Sequence, residues 1–148
     1  IVLEQRKHGV ELFYTVTQRT MQKFRRRKVF DLPVTGIVDY ATWYEISDIY
    51  VGVTDTYCKD NGIDVVVKKA FFRANGKAVA MNETDGILKL VVSATDGKIL
   101  GCHILGAHAA DLIQEVAALM NKDATVNELK DIIHAHPTLG EVVLTAAM

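Results

Sequence analysis

The sequence has little cysteine and no long apolar run. Its two cysteines, Cys58 and Cys102, lie 44 residues apart, which excludes a disulfide framework and the CxxC spacing of a metal or redox pair. Two buried thiols in a reducing compartment such as the cytoplasm are the simplest interpretation. No apolar stretch approaches the roughly 18 residues that a membrane-spanning helix needs, so we expect no membrane partner.

An excess of one charge sign is also absent, because the net charge is −1 over 148 residues. This balance gives no electrostatic reason to expect a nucleic-acid partner. With 49% hydrophobic and 24% charged residues, the composition is that of a globular protein. The chain begins without Met and without a signal-peptide pattern, so we expect a fragment or a processed product. Residues 1–46 carry a net charge of +3 and residues 47–148 one of −4, which suggests two modules.

The first module, residues 1–46, is predicted to be small and helical. Thr17–Lys28 has the spacing of an amphipathic helix, with its apolar and basic side chains on different faces. LPVTG (residues 32–36) predicts a turn, because it contains Pro and Gly. Asp39 is a candidate N-cap for a short helix over residues 40–46.

This segment resembles the repeat of peptidoglycan-binding-like three-helix domains. The matching residues are Phe24, Leu32, Thr35, Gly36, Val38, Asp39, Thr42 and Trp43. The match covers about 30 residues, and Arg25 stands where the pattern usually has Gln. The resemblance implies a wall-binding or prodomain-type element with peptidoglycan as a candidate partner. The basic run Arg25–Lys28 is compatible with binding an anionic polymer, although a solvated helix face is its commoner role.

The second module, residues 47–148, is predicted to be an α+β domain, an antiparallel sheet with helices on one face. Thr54 is a candidate N-cap for a short helix that ends at Gly62. Strands are predicted at residues 63–74, 86–95 and 98–105. The last two strands are joined by Asp96-Gly97, the dipeptide typical of a two-residue hairpin turn.

Hydrophobic periodicity assigns a core to this domain. Alternation in the hairpin places on one face Leu88, Leu90, Val92, Leu100, Cys102 and Ile104. Cys102 is therefore interpreted as a small apolar residue of the sheet. After Gly106 the period changes to 3.6, with a stripe formed by Ala109, Leu112, Val116 and Leu119, widened by Ile113 and Met120. Thr125 and Glu128 form a capping-box pattern at the start of a further helix.

The motif HAHPTLGE, residues 134–141, is where the sequence offers chemistry. Pro137 disfavours helical geometry at His136, so the imidazole is free to project. Glu141, one turn into the following helix, can reach back towards it. A carboxylate that accepts from one ring nitrogen fixes the tautomer and supports imidazolium formation, which suits acid–base work near neutrality. His136 and Glu141 are the candidate catalytic residues.

Two other interpretations of this motif stay open. Thr138 and Glu141 also match a capping box, in which Glu141 bonds only to the backbone N–H of Thr138. His134 and His136 would point the same way in a strand, as a metal pair does. No further ligand is near in sequence, so we expect no metal.

Residues from about 49 to 148 resemble the C-terminal dimerisation (interface) domain of pyridine-nucleotide-disulfide oxidoreductases, and most closely its dihydrolipoyl dehydrogenase branch. Four segments match in family order: YVGVTDTYCKDNGID, FFRANGKAVAMNETDGILKLV, ATDGKILGCHILGAHAADLIQE and HAHPTLGE. Gly140 stands where the relatives have Ser, and the terminal cysteine pair of the mercuric-reductase branch is absent.

The resemblance implies that His136 is the acid–base serving a redox dithiol and that Glu141 orients it. It also implies a homodimer through the second module, because the dithiol and its flavin belong to the other subunit. FAD and NAD are implied for the full-length parent enzyme. The chain itself has neither a GxGxxG motif nor a CxxxxC dithiol, so we expect no cofactor in it and no activity alone. Flavoprotein domains outside this chain are then implied partners.

Two further hypotheses compete with this one. The alternative is a cell-wall or polymer-binding module fused to a passive dimerisation domain. The third is an engineered or mis-assembled chimera, since neither pattern predicts the other.

Overall fold

The computed structural model describes residues 2–7, 10–15 and 48–148. One antiparallel sheet runs through them, in the spatial order β1-β2-β3-β6-β5-β4. Its strands are β1 (Val2–Lys7), β2 (Val10–Thr15), β3 (Asp48–Gly52), β4 (Val65–Phe71), β5 (Ile87–Ser93) and β6 (Ile99–Leu105). The helices described are α1 (Asp55–Asp60), α2 (Gly76–Ala80), α3 (Ala109–Met120), α4 (Val126–Lys130) and α5 (Glu141–Ala147), with a 3-10 turn at Phe72–Ala74. The predicted α+β class is confirmed.

Local capping explains where two of the helices begin. The Thr54 hydroxyl accepts from the N–H of Tyr57 at 2.9 Å at the start of α1, and Gly62 follows its end with φ 68°. The capping box of α4 is complete as predicted. Its Thr125 hydroxyl accepts from the N–H of Glu128, whose carboxylate accepts in return from the N–H of Thr125.

Helices α3 and α5 pack on one face of the sheet, α3 against β3 and β6 and α5 against β4 and β5. The predicted core residues that are fully or almost fully buried there are Leu88, Leu90, Val92, Cys102 and Ile104. In α3 the centre of the buried stripe is rotated from the prediction. Ile113 and Val116 are fully buried, whereas Leu112 and Leu119 are only partly buried at its margins.

Leu100 does not occupy the core position that alternation assigned to it. The register shifts between Val91 and Val92, so that Val91 faces Gly101 and Val92 faces Ile99. This β-bulge inserts one extra residue into β6 and reverses the alternation beyond it. Ile99, only 4% exposed, therefore fills the site predicted for Leu100.

The β5–β6 hairpin is present, but its turn is longer than the two residues predicted. The N–H of Ser93 donates to the carbonyl of Lys98 at 2.9 Å, which leaves residues 94–97 between the closing pair. Gly97 adopts φ 73°, so the glycine serves the left-handed position of a longer loop.

Within the module predicted to be helical, Val2–Lys7 and Val10–Thr15 instead form the strands β1 and β2, and β2 pairs with β3. The segments predicted to be helical, Thr17–Lys28 and residues 40–46, lie outside the described residues, and so does the basic run Arg25–Lys28. The three-helix module therefore stays a prediction. Across the described part of the chain, no helix has the length and apolar character needed to cross a membrane.

Candidate active site

The loop between α4 and α5 presents an imidazole to solvent and a carboxylate behind it. Nδ1 of His136 lies 2.9 Å from Oε1 of Glu141, the first residue of α5. The His136 side chain is 78% exposed, while that of Glu141 is 26% exposed. The His136–Pro137 peptide bond is cis. His136 lies between the helices α4 and α5, and its ring is held by Glu141 from one side.

The same carboxylate also contacts the backbone of the loop. Oε2 of Glu141 accepts from the N–H of Thr138 at 2.8 Å, whereas the Thr138 hydroxyl donates to the carbonyl of Ala135 at 2.7 Å. Only half of the predicted capping box is therefore formed. The Thr138 N–H, and after it the contact with His136, lower the pKa of Glu141. One carboxylate therefore makes both contacts that the two interpretations of Glu141 require.

This arrangement decides which nitrogen of His136 can act as a base. An ionised carboxylate only accepts hydrogen bonds, so Nδ1 carries the proton that faces Glu141. The lone pair is then on Nε2, at the far side of an exposed ring. Chemically, this nitrogen can accept a proton from a group that approaches the exposed side of the ring.

His134, the other histidine of the metal pair that was considered from the sequence without expecting a metal, has a different environment. Its side chain is only 6% exposed, and its Nε2 lies 2.9 Å from Oε1 of Glu115 on α3. Its Nδ1 lies 3.1 Å from the carbonyl oxygen of Ile132. Within residues 2–7, 10–15 and 48–148, no group of three His, Cys, Asp or Glu side chains is arranged to hold a metal ion.

Two residues that the sequence did not single out also hold this loop. Glu115 is 19 residues from His134 in the sequence. Its helix was predicted from the apolar residues only, so this carboxylate was not considered. Asn75, 7% exposed, accepts from the N–H of Ala78 at 2.9 Å and donates through Nδ2 to the carbonyl of Thr138 at 3.1 Å. The sequence offers little indication of the contact between Asn75 and Thr138, because an Asn before a short helix predicts only an N-cap.

The cysteines do not join this site. Burial raises the pKa of the Cys102 thiol, with a smaller contribution from Glu115, and burial also raises the pKa of Cys58. A protonated, buried thiol is a poor nucleophile. Cys102 is fully buried in β6, as its prediction as a core residue required.

The described sheet does not fit a dinucleotide. Dinucleotides bind outside the carboxyl ends of parallel strands, at a Gly-rich turn that leads into a helix. Every strand pair in the described sheet is antiparallel. The strands among the described residues therefore do not form a dinucleotide site of this kind.

An antiparallel sheet covered by two helices, with a His–Glu contact ahead of the last helix, defines a class of domain. Residues 40–147 match the family described as the dimerisation domain of pyridine nucleotide-disulphide oxidoreductases, and the chain belongs to that family. Enzymes of this family depend on FAD and NAD. Within this family, the chain is similar to the corresponding domain of dihydrolipoyl dehydrogenases.

The similarity to dihydrolipoyl dehydrogenases comes from comparison with curated relatives. The chain is 47% identical over 97 residues to the dihydrolipoyl dehydrogenase of Geobacillus stearothermophilus and 43% identical over 97 residues to that of Bacillus subtilis. Each alignment covers 66% of this chain and 21% of the relative, so the chain spans about a fifth of their length.

A solved structure agrees with the assignment. An HOCl-induced flavoprotein disulfide reductase from Escherichia coli superposes with a TM-score of 0.65 at 27% identity, over 68% of this chain and 23% of that one.

Proposed function

We propose that this domain pairs with a second copy of itself and supplies His136 and Glu141 as an acid–base pair to the redox dithiol of the partner subunit. The observation that carries the proposal is the 2.9 Å contact between Nδ1 of His136 and Oε1 of Glu141 at an imidazole that is otherwise exposed. The substrate class of the parent enzyme is then a dithiol of the dihydrolipoyl type, as the names of the curated relatives indicate.

The chemistry of a dithiol explains why such a pair is useful. A thiol becomes a nucleophile only after it loses its proton. Nε2 of His136 accepts that proton, and the Glu141 carboxylate stabilises the imidazolium that forms. On the return step Nε2 gives the proton back to a leaving thiolate. Each transfer needs only the ring and the carboxylate of this chain.

The surface around His136 supports a site that is completed by another subunit. Ile133, three residues before His136, is 96% exposed, and Ile132 beside it is 36% exposed. Two adjacent isoleucines at such exposure favour coverage by a partner surface. Covering them would also exclude water from the imidazole, which strengthens its electrostatic coupling to Glu141. The free thiols of Cys58 and Cys102 favour a reducing compartment such as the cytoplasm.

A domain replacement tests the proposal. Residues 40–147 of this chain replace the matching domain of the Geobacillus stearothermophilus dihydrolipoyl dehydrogenase, and dihydrolipoamide oxidation is measured. We expect His136→Gln to lower kcat/KM by about 10² to 10⁴-fold, the range that a general acid–base residue contributes. Flavin content and dimer mass should stay unchanged.

His108→Asn is the matched control. It also replaces a histidine by an amide, and Asn tolerates the left-handed backbone that His108 adopts at φ 57°. We expect this control to retain activity. An intact, flavin-loaded dimer that loses less than a few-fold of its activity with His136→Gln would contradict the proposal.

A further inference from the structure

We propose that Glu115 and His134 form a positioning pair that fixes the loop carrying His136. The inference rests on the proposed function for its purpose, since a fixed loop matters to an imidazole that must meet a dithiol. Neither residue reaches the exposed side of His136. Their role is exerted through the loop backbone.

The two histidines of the HAH motif differ strongly in burial. The His134 side chain is 6% exposed, compared with 78% for His136, although only Ala135 lies between them. A polar ring is buried at a cost unless its nitrogens find hydrogen-bond partners. His134 finds one at each nitrogen, and these partners fix the ring.

The two partners of His134 come from different elements. Nε2 lies 2.9 Å from Oε1 of Glu115, in the middle of α3, and Nδ1 lies 3.1 Å from the carbonyl oxygen of Ile132. Both partners are acceptors, so the two contacts together need two ring protons, or one ring proton and one on the Glu115 carboxyl. The ring is thereby tied to the helix that packs on β3 and β6.

His134 also lies near the start of α5. A methyl group placed on Gly140 would lie 3.9 Å from Cδ2 of His134, which is ordinary van der Waals contact. Gly140 directly precedes Glu141. The buried ring therefore lies near the segment that carries Glu141, while its own backbone leads to His136.

Other contacts of this loop use side chains as well. Asn75 donates to the carbonyl of Thr138, and the Thr138 hydroxyl donates to the carbonyl of Ala135. The contact of Asn75 holds the part of the loop that follows His136, and the Thr138 hydroxyl links that part to Ala135, just before His136. The His134–Glu115 contact holds the part that precedes it. A displacement of about 1 Å in a catalytic group is enough to cost roughly 100-fold in rate, so a fixed loop has a clear use.

NMR on the full chain tests the pair. In Glu115→Ala, we expect backbone order parameters at residues 134–138 to fall from about 0.85 to below about 0.6. We also expect the ring ¹⁵N shifts of His136 to move from one tautomer towards an average of two. Glu115→Gln can still accept from Nε2 and should restore both readouts. Asp111→Ala, which removes an acid from the same helix, should change neither.

A second variant controls for the possibility that Glu115→Ala acts by altering α3 itself. His134→Asn breaks the contact from the loop side, and its side chain is too short to reach Glu115; we expect the same loss of order. Unchanged order parameters and an unchanged His136 tautomer in either folded variant would overturn the inference. Because these readouts involve no turnover, they are independent of the activity of His136→Gln, and the two proposals can fail separately.

Discussion

Glu141 binds His136 and the backbone of Thr138 with the two oxygens of one carboxylate. Oε1 lies 2.9 Å from Nδ1 of His136, and Oε2 lies 2.8 Å from the N–H of Thr138. The orientation of the imidazole is therefore tied to the first turn of α5. A change at Glu141 affects the ring and the loop backbone together.

Glu141→Gln should change the tautomer of His136. A carboxamide has one acceptor and one donor end, so it cannot accept from both partners. If its oxygen keeps the Thr138 N–H, its NH₂ group faces Nδ1, which must then become an acceptor. We expect the ring proton to move from Nδ1 to Nε2, as read from ring ¹⁵N shifts.

Glu128→Gln is the control for this experiment, because Glu128 occupies the capping box of α4 and has no histidine partner. It should leave the His136 tautomer as it is. A Glu141→Gln variant with the native fold and the native tautomer would show that the carboxylate does not set the ring in solution.

Acid should destabilise the domain below about pH 4.5. Hydrogen bonds lower the pKa of Asp55 mainly through Lys89, that of Glu128 through Thr125 and that of Glu141 through Thr138. A lowered pKa in the folded state contributes stability above the unfolded value, and that stability is lost as pH falls through the folded value. Urea unfolding between pH 6 and 3 measures it. Glu128→Gln should flatten the curve, and a flat curve for the unmodified chain would refute this account.

A second pH dependence should come from His103. Burial, followed by the charge of Lys89, lowers the pKa of His103, whose ring stacks on Tyr50 with centroids 5.1 Å apart. The unfolded chain then binds a proton more readily, so stability should decline as pH falls below about 6.5. His103→Phe keeps the stack and should remove this decline between pH 7 and 5.5. If the stability of His103→Phe declines with pH as steeply as that of the unmodified chain, another group causes the decline.

Lys68 should stabilise the end of α5. Its ammonium group donates to the carbonyl of Ala147 at 2.8 Å, a cation at a helix carboxyl terminus. We expect Lys68→Met to lower the free energy of unfolding by about 1 kcal/mol. Lys69→Met is the matched control, because Lys69 is the next residue of β4 and is exposed on the opposite face. Equal losses from the two variants would mean that the Ala147 contact contributes nothing.

The chain should form a dimer at tens of micromolar, a range in which a moderate interface survives. Light scattering measures the mass, and deletion of residues 1–46 should leave the dimer intact. Ile133→Asp should shift the equilibrium to monomer, since it places a charge in the apolar surface beside His136. Thr95→Asp, at the exposed tip of the β5–β6 hairpin, should not. A monomeric parent chain would count against assembly through this domain.

The sequence predicted what local patterns control. The capping box at Thr125 and Glu128, the alternation along β5 and the helical period of α3 each involve residues close together in the chain. The bulge at Leu100 was not predictable in this way, because it depends on how β5 and β6 pair. The Asp96-Gly97 dipeptide predicted the position of the turn correctly but its length wrongly. The length also depends on how β5 and β6 pair.

In the candidate site, too, contacts between residues close in sequence were predictable and contacts between distant residues were not. His136 and Glu141 are five residues apart, so their contact could be inferred from one motif. Glu115 reaches the loop from α3 and Asn75 from the N-cap of α2, at separations of 19 and 63 residues from their partners His134 and Thr138. Such contacts exist only once the sheet has brought the helices together. The sequence contains the residues without indicating that they meet.

Subunit complementation tests most directly whether His136 serves the partner's dithiol. In the domain-replaced enzyme, one subunit carries His136→Gln with an intact dithiol, and the other carries an intact His136 with its dithiol removed. Each homodimer should be inactive. If the site is shared between subunits, the mixed dimer has one complete site of two and should recover up to about half of the parent activity. A mixed dimer of confirmed composition that stays inactive would contradict the account, because the histidine would then serve its own subunit.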